Sequence, residues 1–307
     1  MPETIILTGL SEDPQLQLIL FVAFLAIYVI TLMGNVGMIV LIRISPQLHT
    51  PMYFFLTSLS FLDTCYLTTV TPKLLSNLLK EKKSISFASC FTQLYFYAVC
   101  ATTECYLLAV MAYDRYVAIC NPLLYFITMS QRKCVQLIAI SYTAWIVNAF
   151  IHTMAASRLS YCGPNIVNNF YCDTPPLLAL SCSDVSLNDL LIFVFVGFNI
   201  TVTILTVLTS YTYILVTILR NRSASSRRKA FSTCTSHLMV ITIFYGCSSF
   251  MYARPSSRQN PQLDQMASVF YVVLTSMLNP LIYSIRNQEV RHAFRNILGR
   301  KFHVQHF

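Results

Sequence analysis

Charged residues are scarce in this sequence. Asp, Glu, Lys and Arg make up 11% of its 307 residues, whereas 55% are hydrophobic. Because soluble domains carry about 25% charged residues, this composition excludes an ordinary soluble domain and predicts a protein that crosses a membrane several times. Bases outnumber acids by 21 to 12, yet they lie in short clusters between apolar runs. That placement is typical of membrane topology and of contact with membrane lipid, and it argues against nucleic-acid binding.

Signatures of catalysis and transport are missing as well. The sequence contains no HExxH and no GxSxG motif, which a membrane-embedded metalloprotease or serine hydrolase would carry. It shows no internal repeat and no pair of broken hydrophobic segments, which are typical of transporters. These absences disfavour an enzyme and a transporter, and they predict no cofactor apart from the cation considered below.

Seven apolar runs are long enough to cross a bilayer, which takes about 20 residues per helix. They cover residues 18–42, 53–79, 88–120, 135–157, 191–219, 230–251 and 266–285, and the second and seventh are the most polar. Most bases lie in segments that are cytoplasmic if the N-terminus is extracellular, so this orientation is predicted. The sequence KEKK at residues 80–83 would then be extracellular, against the general rule.

The predicted fold is an all-α membrane protein, a seven-transmembrane helix bundle formed by a single domain of residues 1–307. Residues 1–17 are the extracellular N-terminus, residues 18–285 the bundle with its loops, and residues 286–307 a cytoplasmic tail. Residues 287–298 read as a short amphipathic helix on the inner leaflet. Its apolar face and the bases beside it are Val290, Phe294, Ile297 and Leu298, with Arg291 and Arg295.

Five stretches carry a family resemblance. They are LMGNVGMIVLI in the first run, TPMYFFLTSLSFLD entering the second, MAYDRYVAICNPLLY ending the third, KAFSTCTSHLMVITIFYG in the sixth and LNPLIYSIRNQEV in the seventh. In this order and spacing they resemble the olfactory receptors, a branch of the rhodopsin-like G-protein-coupled receptors. The resemblance implies a multi-pass receptor of the plasma membrane of olfactory cilia. Such a receptor binds a small volatile odorant and activates a heterotrimeric stimulatory G protein, which raises cyclic AMP.

An acid and a base, Asp114 and Arg115, stand side by side at the inner edge of the third run, in MAYDRYVAIC. Charges at this depth are costly unless they reach water or serve a function. The family's activation logic implies that Arg115 pairs with its neighbour at rest and turns toward another helix on activation; an interfacial anchor is the alternative. The residues assigned to this coupling switch by the resemblance are Asp114, Arg115, Tyr116, Tyr211, Asn279, Pro280 and Tyr283.

Two further acids, Asp63 and Glu104, lie deep in the apolar runs. Carboxylates inside a membrane are expensive and are therefore functional candidates. With Asn35 and Asn279 they would form the midplane polar cluster of rhodopsin-like receptors, and their oxygens suit an allosteric sodium ion. The alternative is a hydrogen-bonded network that shares a proton and holds no metal.

Four of the eleven cysteines fall in extracellular positions: Cys90, Cys162, Cys172 and Cys182. In an oxidising compartment they predict two disulfides, for which spacing alone allows three pairings. The resemblance implies the pairs Cys90–Cys172 and Cys162–Cys182. The other seven lie in or beside apolar runs and are predicted to be small packing residues.

The ligand is predicted to lie in the outer half of the bundle. Apart from Asp264, at the entry to the seventh run, no carboxylate or base is expected in the outer half of any run. Because an amine or an acid would lack a counter-ion, the ligand is expected to be neutral, small and mostly apolar. His152 is predicted to be a core histidine, with a metal-assisted sulfur odorant as the alternative.

The expected ligand contacts come from the family pattern and from inward-facing helical spacing. They are Tyr97, Ala98, Ala101, Thr102, Phe195, Asn199, Tyr245, Ser248, Tyr252 and Val269. Tyr245 also occupies the position of the toggle residue in related receptors. For each of these residues ordinary helix packing is an equal alternative, and a rhodopsin-like receptor for a non-odorant ligand remains open.

Overall fold

The structure is a computed structural model that describes residues 4–162, 164–220, 224–252 and 261–304. Within these ranges the side chains at 224–226, 228, 229, 232, 233, 251, 252, 261, 262, 264, 274, 285, 286 and 298–304 are outside the description. Tyr252 and Asp264 are therefore predicted residues about whose side chains nothing is said.

Each of the seven predicted runs lies within long helical structure. The seven spans are α1 (Pro14–Ile44), α2 (Pro51–Leu78), α3 (Phe87–Cys120), α5 (Gln131–Ser157), α7 (Ser186–Arg220), α8 (Ala224–Tyr252) and the pair α9 (Pro261–Val269) and α10 (Thr275–Arg286). Two short helices, α4 (Tyr125–Thr128) and α6 (Thr174–Leu178), lie in loops. By length and composition five described helices are apolar enough to cross a membrane, and Cys234–Phe250 in α8 is a shorter apolar stretch.

Local sequence sets where the spans begin. Asp13 caps α1 by accepting a hydrogen bond from the Gln15 amide at 2.9 Å, and Ser86 caps α3 by accepting one from the Ser89 amide at 3.2 Å. Both side chains satisfy amides that have no partner within the first helical turn. Pro51 starts α2, where its fixed φ suits the helix and its missing N–H is not needed.

The seventh span contains a wide, π-helical turn, Phe270–Leu274, between α9 and α10. The Phe270 carbonyl accepts the Thr275 amide, five residues on, as is typical of a π-helical turn, and also accepts from the Thr275 hydroxyl at 3.2 Å. Farther along, Pro280 lies inside α10 and packs against Gly34 of α1. A Cβ at Gly34 would stand 3.3 Å from Pro280 Cγ, so glycine allows this close helix contact.

A small sheet amends the all-α expectation. Strands β1 (Thr4–Leu7), β2 (Ser84–Ser86) and β3 (Ile166–Val167) lie in the order β2–β1–β3, with β1 antiparallel to β2 and parallel to β3. Ile5 and Leu7 of β1 are buried against the extracellular loops. The sequence missed this sheet because its pairing joins three segments that are far apart along the chain.

Two disulfides hold the long loop between α5 and α7. Cys90 at the start of α3 bonds Cys172, with Cα atoms 5.5 Å apart, and Cys162 bonds Cys182 within the loop, with Cα atoms 6.0 Å apart. These are the two pairs that the family resemblance implies. The first bond fixes the loop to the outer end of α3.

The tail helix is α11 (Gln288–Val304), longer than predicted. Val290 is buried in the bundle core rather than facing outward, whereas Phe294 is 56% exposed. The Tyr53 hydroxyl of α2 lies 2.8 Å from Glu289 Oε2 and 3.2 Å from Asn287 Oδ1. The start of α11 is thus anchored to α2, and Phe294 is on the face that can meet lipid.

Candidate functional site

A polar cluster joins α2, α3 and α10 in the middle of the bundle. Asn279 Nδ2 lies 3.2 and 3.0 Å from the two carboxylate oxygens of Asp63 and 3.4 Å from Glu104 Oε1. Asn35 of α1 donates to the Ser276 carbonyl at 3.3 Å beside it. All five side chains are at most 2% exposed. The structure therefore brings Asp63, Glu104 and Asn279 into contact, and Asn35 is linked to the helix of Asn279 through Ser276.

The oxygen atoms available in this cluster determine which cation it could hold. Asp63 and Glu104 supply hard carboxylate oxygens, and the hydrogen bonds that they accept come from the single amide of Asn279. No trio of His, Cys, Asp and Glu suited to a metal occurs in the described part of the chain. The residues present therefore fit one weakly held monovalent ion, or a shared proton, better than a tightly bound divalent metal.

The acid of the cytoplasmic motif has an unexpected partner. The Tyr125 hydroxyl of α4 donates to Asp114 Oδ1 at 2.9 Å. Burial, followed by the neighbouring Asp114 charge, raises the pKa of the Tyr125 phenol, so the hydroxyl keeps its proton and remains a donor. Asp114 and Arg115 form no ion pair in the described structure, contrary to the pairing expected at rest.

Arg115 is 4% exposed, and its Nε has no hydrogen-bond partner. Its positive charge acts on the phenols of Tyr211 in α7 and Tyr283 in α10. Tyr211 Oη is 2.7 Å from His237 Nδ1 of α8, whereas the Tyr283 hydroxyl is buried without a partner. Burying the Arg115 Nε–H and the Tyr283 hydroxyl without hydrogen-bond partners costs free energy. A helix movement that pairs these two groups would recover it.

Tyr116, also assigned to the switch, has a different environment. Its ring packs against Tyr113 at 6.1 Å and Tyr213 at 5.6 Å, between centroids. The residue belongs to a small apolar cluster formed by α3, α7 and α8. This position makes Tyr116 a packing contact between the helices whose separation would open the cytoplasmic side.

We expect Tyr125→Phe to lower odorant-evoked cyclic AMP, with roughly fivefold to tenfold lower potency. The change frees Asp114 to pair with Arg115, and a charge-assisted bond of about 1–1.5 kcal/mol would then hold the arginine back. Cyclic AMP dose–response curves in transfected cells measure the effect. Tyr113→Phe, on an exposed ring of the same helix end, is the control. Raised basal signalling by Tyr125→Phe would contradict this account.

In the outer half, a loop tyrosine covers the predicted site. Tyr171, next to the disulfide at Cys172, lies with its hydroxyl 3.1 Å from that of Tyr97 in α3, and with ring centroids 4.9 Å apart. It also interacts with Ser268 of α9 and with Asp173. Burial raises the pKa of the Tyr171 phenol well above its usual value, so the group is neutral. Tyr97 thus contacts the loop as well as the bundle.

Aromatic rings continue inward from Tyr97. It stacks on Tyr66 of α2 at 5.4 Å, Tyr66 meets Tyr271 of the seventh span edge-on at 6.2 Å, and Tyr271 meets Phe244 of α8 at 5.6 Å. Rings in these tilted and edge-on arrangements are favourable beyond the area that they bury. This chain of contacts connects the extracellular loop with α8.

A second aromatic and polar region lies where α3, α5 and α7 meet. The Tyr106 hydroxyl donates to Asn199 Oδ1 at 2.8 Å, and its ring lies 4.8 Å from Trp145. His152 meets Phe195 edge-on at 5.6 Å. Buried polar atoms without a partner here are Asn199 Nδ2, Trp145 Nε1, Asn148 Oδ1 and His152 Nε2. Because buried polar groups are normally paired, this concentration points to a ligand or water.

The remaining predicted contacts fall between these two regions. Tyr245 of α8 donates to the Cys105 carbonyl at 3.3 Å, and Ser248 donates to the Phe244 carbonyl at 2.8 Å and interacts with Tyr271. Other half-buried positions on the predicted list are Ala98, Ala101, Thr102 and Val269. The Thr102 hydroxyl donates to the Ala98 carbonyl at 2.5 Å. Its methyl group is therefore the part of the side chain most available to a ligand.

One charge was omitted from the sequence argument for a neutral ligand. Lys73 lies in the outer part of α2, where it donates to the Ser84 carbonyl at 2.6 Å. It lines a lateral cleft of about 520 Å³ that contains none of the predicted ligand contacts. The expectation that the outer halves of the spans hold no base is therefore wrong for α2, and a neutral odorant stays a prediction for the expected site.

The sequence missed several residues of the site. Tyr125, His237, Tyr171 and Tyr106 contact predicted residues, and Trp145 packs against Tyr106. Two of them carried a signal that could have been read: Trp145 is the only tryptophan of the chain and lies in a span, and Tyr171 adjoins a disulfide cysteine. The others are ordinary side chains whose role depends on packing.

The chain is similar in sequence to proteins of one known family. The family model described as olfactory receptor matches residues 24–301. The chain is 56% identical over 293 residues to mouse Olfactory receptor 5AP2, covering 95% of this chain and 92% of that receptor. It is 51% identical over 298 residues to human Olfactory receptor 5L2, with 97% and 96% covered.

The fold is similar to a solved structure. The crystal structure of squid rhodopsin matches with a TM-score of 0.72 and 18% identity, covering 93% of this chain and 81% of that chain. At this identity the similarity speaks for the fold alone. It supports the seven-span arrangement, including the spans α2 and α8 that hydropathy by itself identifies poorly.

Proposed function

The chain belongs to the olfactory receptor family, multi-pass membrane receptors rather than enzymes, and from this premise we propose that it detects a small neutral odorant with a hydrogen-bond acceptor. The odorant binds in the outer half of the bundle, between α3, α5, α7 and α8. Binding activates a heterotrimeric stimulatory G protein on the cytoplasmic side and raises cyclic AMP.

The absence of a counter-ion at the proposed site supports a neutral ligand. Its described side chains, including Tyr97, Asn199 and Tyr245, carry no charge. Asp173, the nearest loop acid, already accepts from the Thr174 amide at 2.7 Å and from the Tyr171 hydroxyl at 3.3 Å. A charged odorant would pay a large desolvation cost there with no opposite charge to offset it.

The observation that carries the proposal is the unpaired amide of Asn199. Its Oδ1 is held by Tyr106, whereas its Nδ2 is buried with no acceptor. An odorant carbonyl, ester or ether oxygen would supply that acceptor, and the aromatic surroundings would take up its hydrocarbon part. This combination favours a ligand with one acceptor over a pure hydrocarbon.

Coupling to a G protein is supported by the cytoplasmic end of the bundle. Arg115 is buried close to Tyr211 and Tyr283, which belong to two other helices. A rearrangement that brings these groups into hydrogen bonds separates helices and opens a cytoplasmic cavity. The aromatic contacts from Tyr97 to Phe244 offer a packed connection between the two ends.

Cyclic AMP tests the proposal directly. Cells that express the chain with a stimulatory G protein are exposed to neutral, amine and acid odorants, with surface expression measured in parallel. We expect responses to neutral odorants. Responses confined to amines or acids would overturn the account of the site, and a response through a different second messenger would overturn the coupling.

Asn199→Leu is expected to lower the potency of ketone and ester odorants about tenfold, because about 1.4 kcal/mol of hydrogen bonding is lost. Hydrocarbon odorants of the same shape should be affected little. Dose–response curves for matched pairs measure this difference. Thr201→Ala, at an exposed site on the same helix, is the control. An equal loss for both odorant types would make Asn199 a structural residue instead.

A further inference from the structure

The cleft beside Lys73 lies away from the odorant site. It is formed by the outer end of α2, strand β2 and the first turns of α3, and its volume of about 520 Å³ is in the range of small-molecule sites, roughly 300–1,000 Å³. Hydroxyl groups surround it, from Thr69, Ser84, Ser86, Ser89 and Thr92. The predicted function uses none of these residues.

Lys73 supplies the charge of this cleft. An ammonium group has three donors, and the contact recorded for Lys73 is the single hydrogen bond to the Ser84 carbonyl. No described acid forms an ion pair with it. Lys80, outside the cleft, is close enough for its charge to act on Lys73 as well.

The extracellular KEKK sequence, which goes against the usual distribution of bases, now divides into two roles. Lys83 holds the N-terminal segment, because its Nζ donates to the Ser11 carbonyl at 2.6 Å and its chain packs on Gly9, where φ is 68°. Lys80 and Lys82 are exposed. Lys80 therefore adds positive potential near the cleft without a structural contact of its own, and such potential attracts anions at the membrane surface.

The cleft also opens toward the lipid. Ala88, Thr92 and Phe96 line it at intervals of four residues and so share one face of α3, and Phe96 is 50% exposed. A ligand in the cleft can thus place a polar group among the hydroxyls and an acyl chain along this face. The first turn of α3 adds N–H groups at the same end.

We propose that this cleft binds a membrane lipid with an anionic phosphate headgroup. The phosphate accepts hydrogen bonds from the Lys73 ammonium and from the hydroxyls of Ser84 and Ser89, and the acyl chain lies along Phe96. The hydroxyls of Thr69, Ser86 and Thr92 already donate within the protein and only add polarity to the cleft. Lysine and hydroxyl donors together are typical of phosphate recognition. A soluble phosphate compound would share the headgroup chemistry but would not use the lipid-facing side.

The floor of the cleft connects to the odorant site. Gln93 lines the cleft, donates to the Thr69 carbonyl at 3.0 Å and accepts from the Cys172 amide at 2.9 Å. Tyr171, the residue directly before Cys172, covers Tyr97. A bound lipid would restrict the movement of this loop and so strengthen the cyclic AMP response to odorant. That effect on signalling rests on the proposed function, whereas lipid binding does not.

The test measures lipid retention by the purified receptor. Native mass spectrometry of receptor titrated with phosphatidylglycerol or phosphatidylcholine counts the bound lipids. We expect selective retention of phosphatidylglycerol, about fivefold weaker in Lys73→Gln because one lysine near the surface contributes about that factor. Thr92→Phe, which fills the cleft, should abolish it. Lys82→Gln removes the same charge at an exposed position outside the cleft and should retain the lipid.

The competing outcomes are distinct. Equal weakening by Lys73→Gln and Lys82→Gln would overturn the site in favour of general surface attraction. Displacement of the lipid by millimolar inorganic phosphate would overturn the lipid as occupant. Thermal unfolding of each variant checks that it is folded, and Thr92→Phe leaves Lys73 in place. A receptor that retains the lipid selectively but never signals would refute the proposed function while supporting this inference.

Discussion

Arg115→Ala should abolish odorant-evoked cyclic AMP while the receptor still reaches the cell surface. The arginine is the only charged group placed to act on both Tyr211 and Tyr283 among the described residues, and its Nε is unpaired in the present arrangement. Its removal costs the resting fold little, because no ion pair is broken. The active arrangement loses its central donor, so at least a tenfold loss is expected, equivalent to about 1.4 kcal/mol.

Three companion variants sharpen this test. Arg115→Lys keeps the charge but loses the planar set of donors, so it should recover only part of the response. Tyr283→Phe removes a hydroxyl that has no partner at present; it should lower the maximal response without destabilising the unliganded receptor. Arg132→Ala, at an exposed position at the start of α5, is the matched control. A full response in Arg115→Ala would reduce the residue to an interfacial anchor.

The sequence predicted the spans because a membrane imposes a minimum length on apolar helices. The ends of α3 were predicted within a residue from the extent of the apolar run alone. The extracellular sheet could not be predicted in this way. Strand β1 contains only four residues, and its partners are more than 70 residues away along the chain.

Side-chain partners were predicted where chemistry left few choices. The resemblance implied that Asp63, Glu104 and Asn279 share one cluster, and both acids lie within hydrogen-bond distance of Asn279, since buried charges need polar partners. Asp114 could pair either with its neighbour Arg115 or with a nearby hydroxyl. The position of α4 brings the Tyr125 hydroxyl within hydrogen-bond distance of it. The covering of Tyr97 by Tyr171 likewise depends on how a disulfide-bound loop folds back.

Loss of the central amide should destabilise the bundle. In Asn279→Leu the carboxylates of Asp63 and Glu104 lose their shared donor while they remain buried, which costs about 1–3 kcal/mol or more for charged groups. We expect a thermal unfolding temperature several degrees lower for the purified receptor. Adding Asp63→Asn should restore part of it, because the new amide can donate to Glu104 in place of Asn279. No recovery in the double variant would contradict a carboxylate origin of the instability.

The same cluster predicts an effect of sodium. If Asp63 and Glu104 hold a sodium ion in the folded receptor, sodium raises the unfolding temperature in proportion to its binding, whereas N-methylglucamine at equal ionic strength does not. The variant with both Asp63→Asn and Glu104→Gln should lose this dependence. Because the ion would bridge α2 and α3 in the resting arrangement, its removal should also raise basal cyclic AMP. An unfolding temperature that is equal in both salts would leave the pair to share protons and would exclude sodium as its ligand.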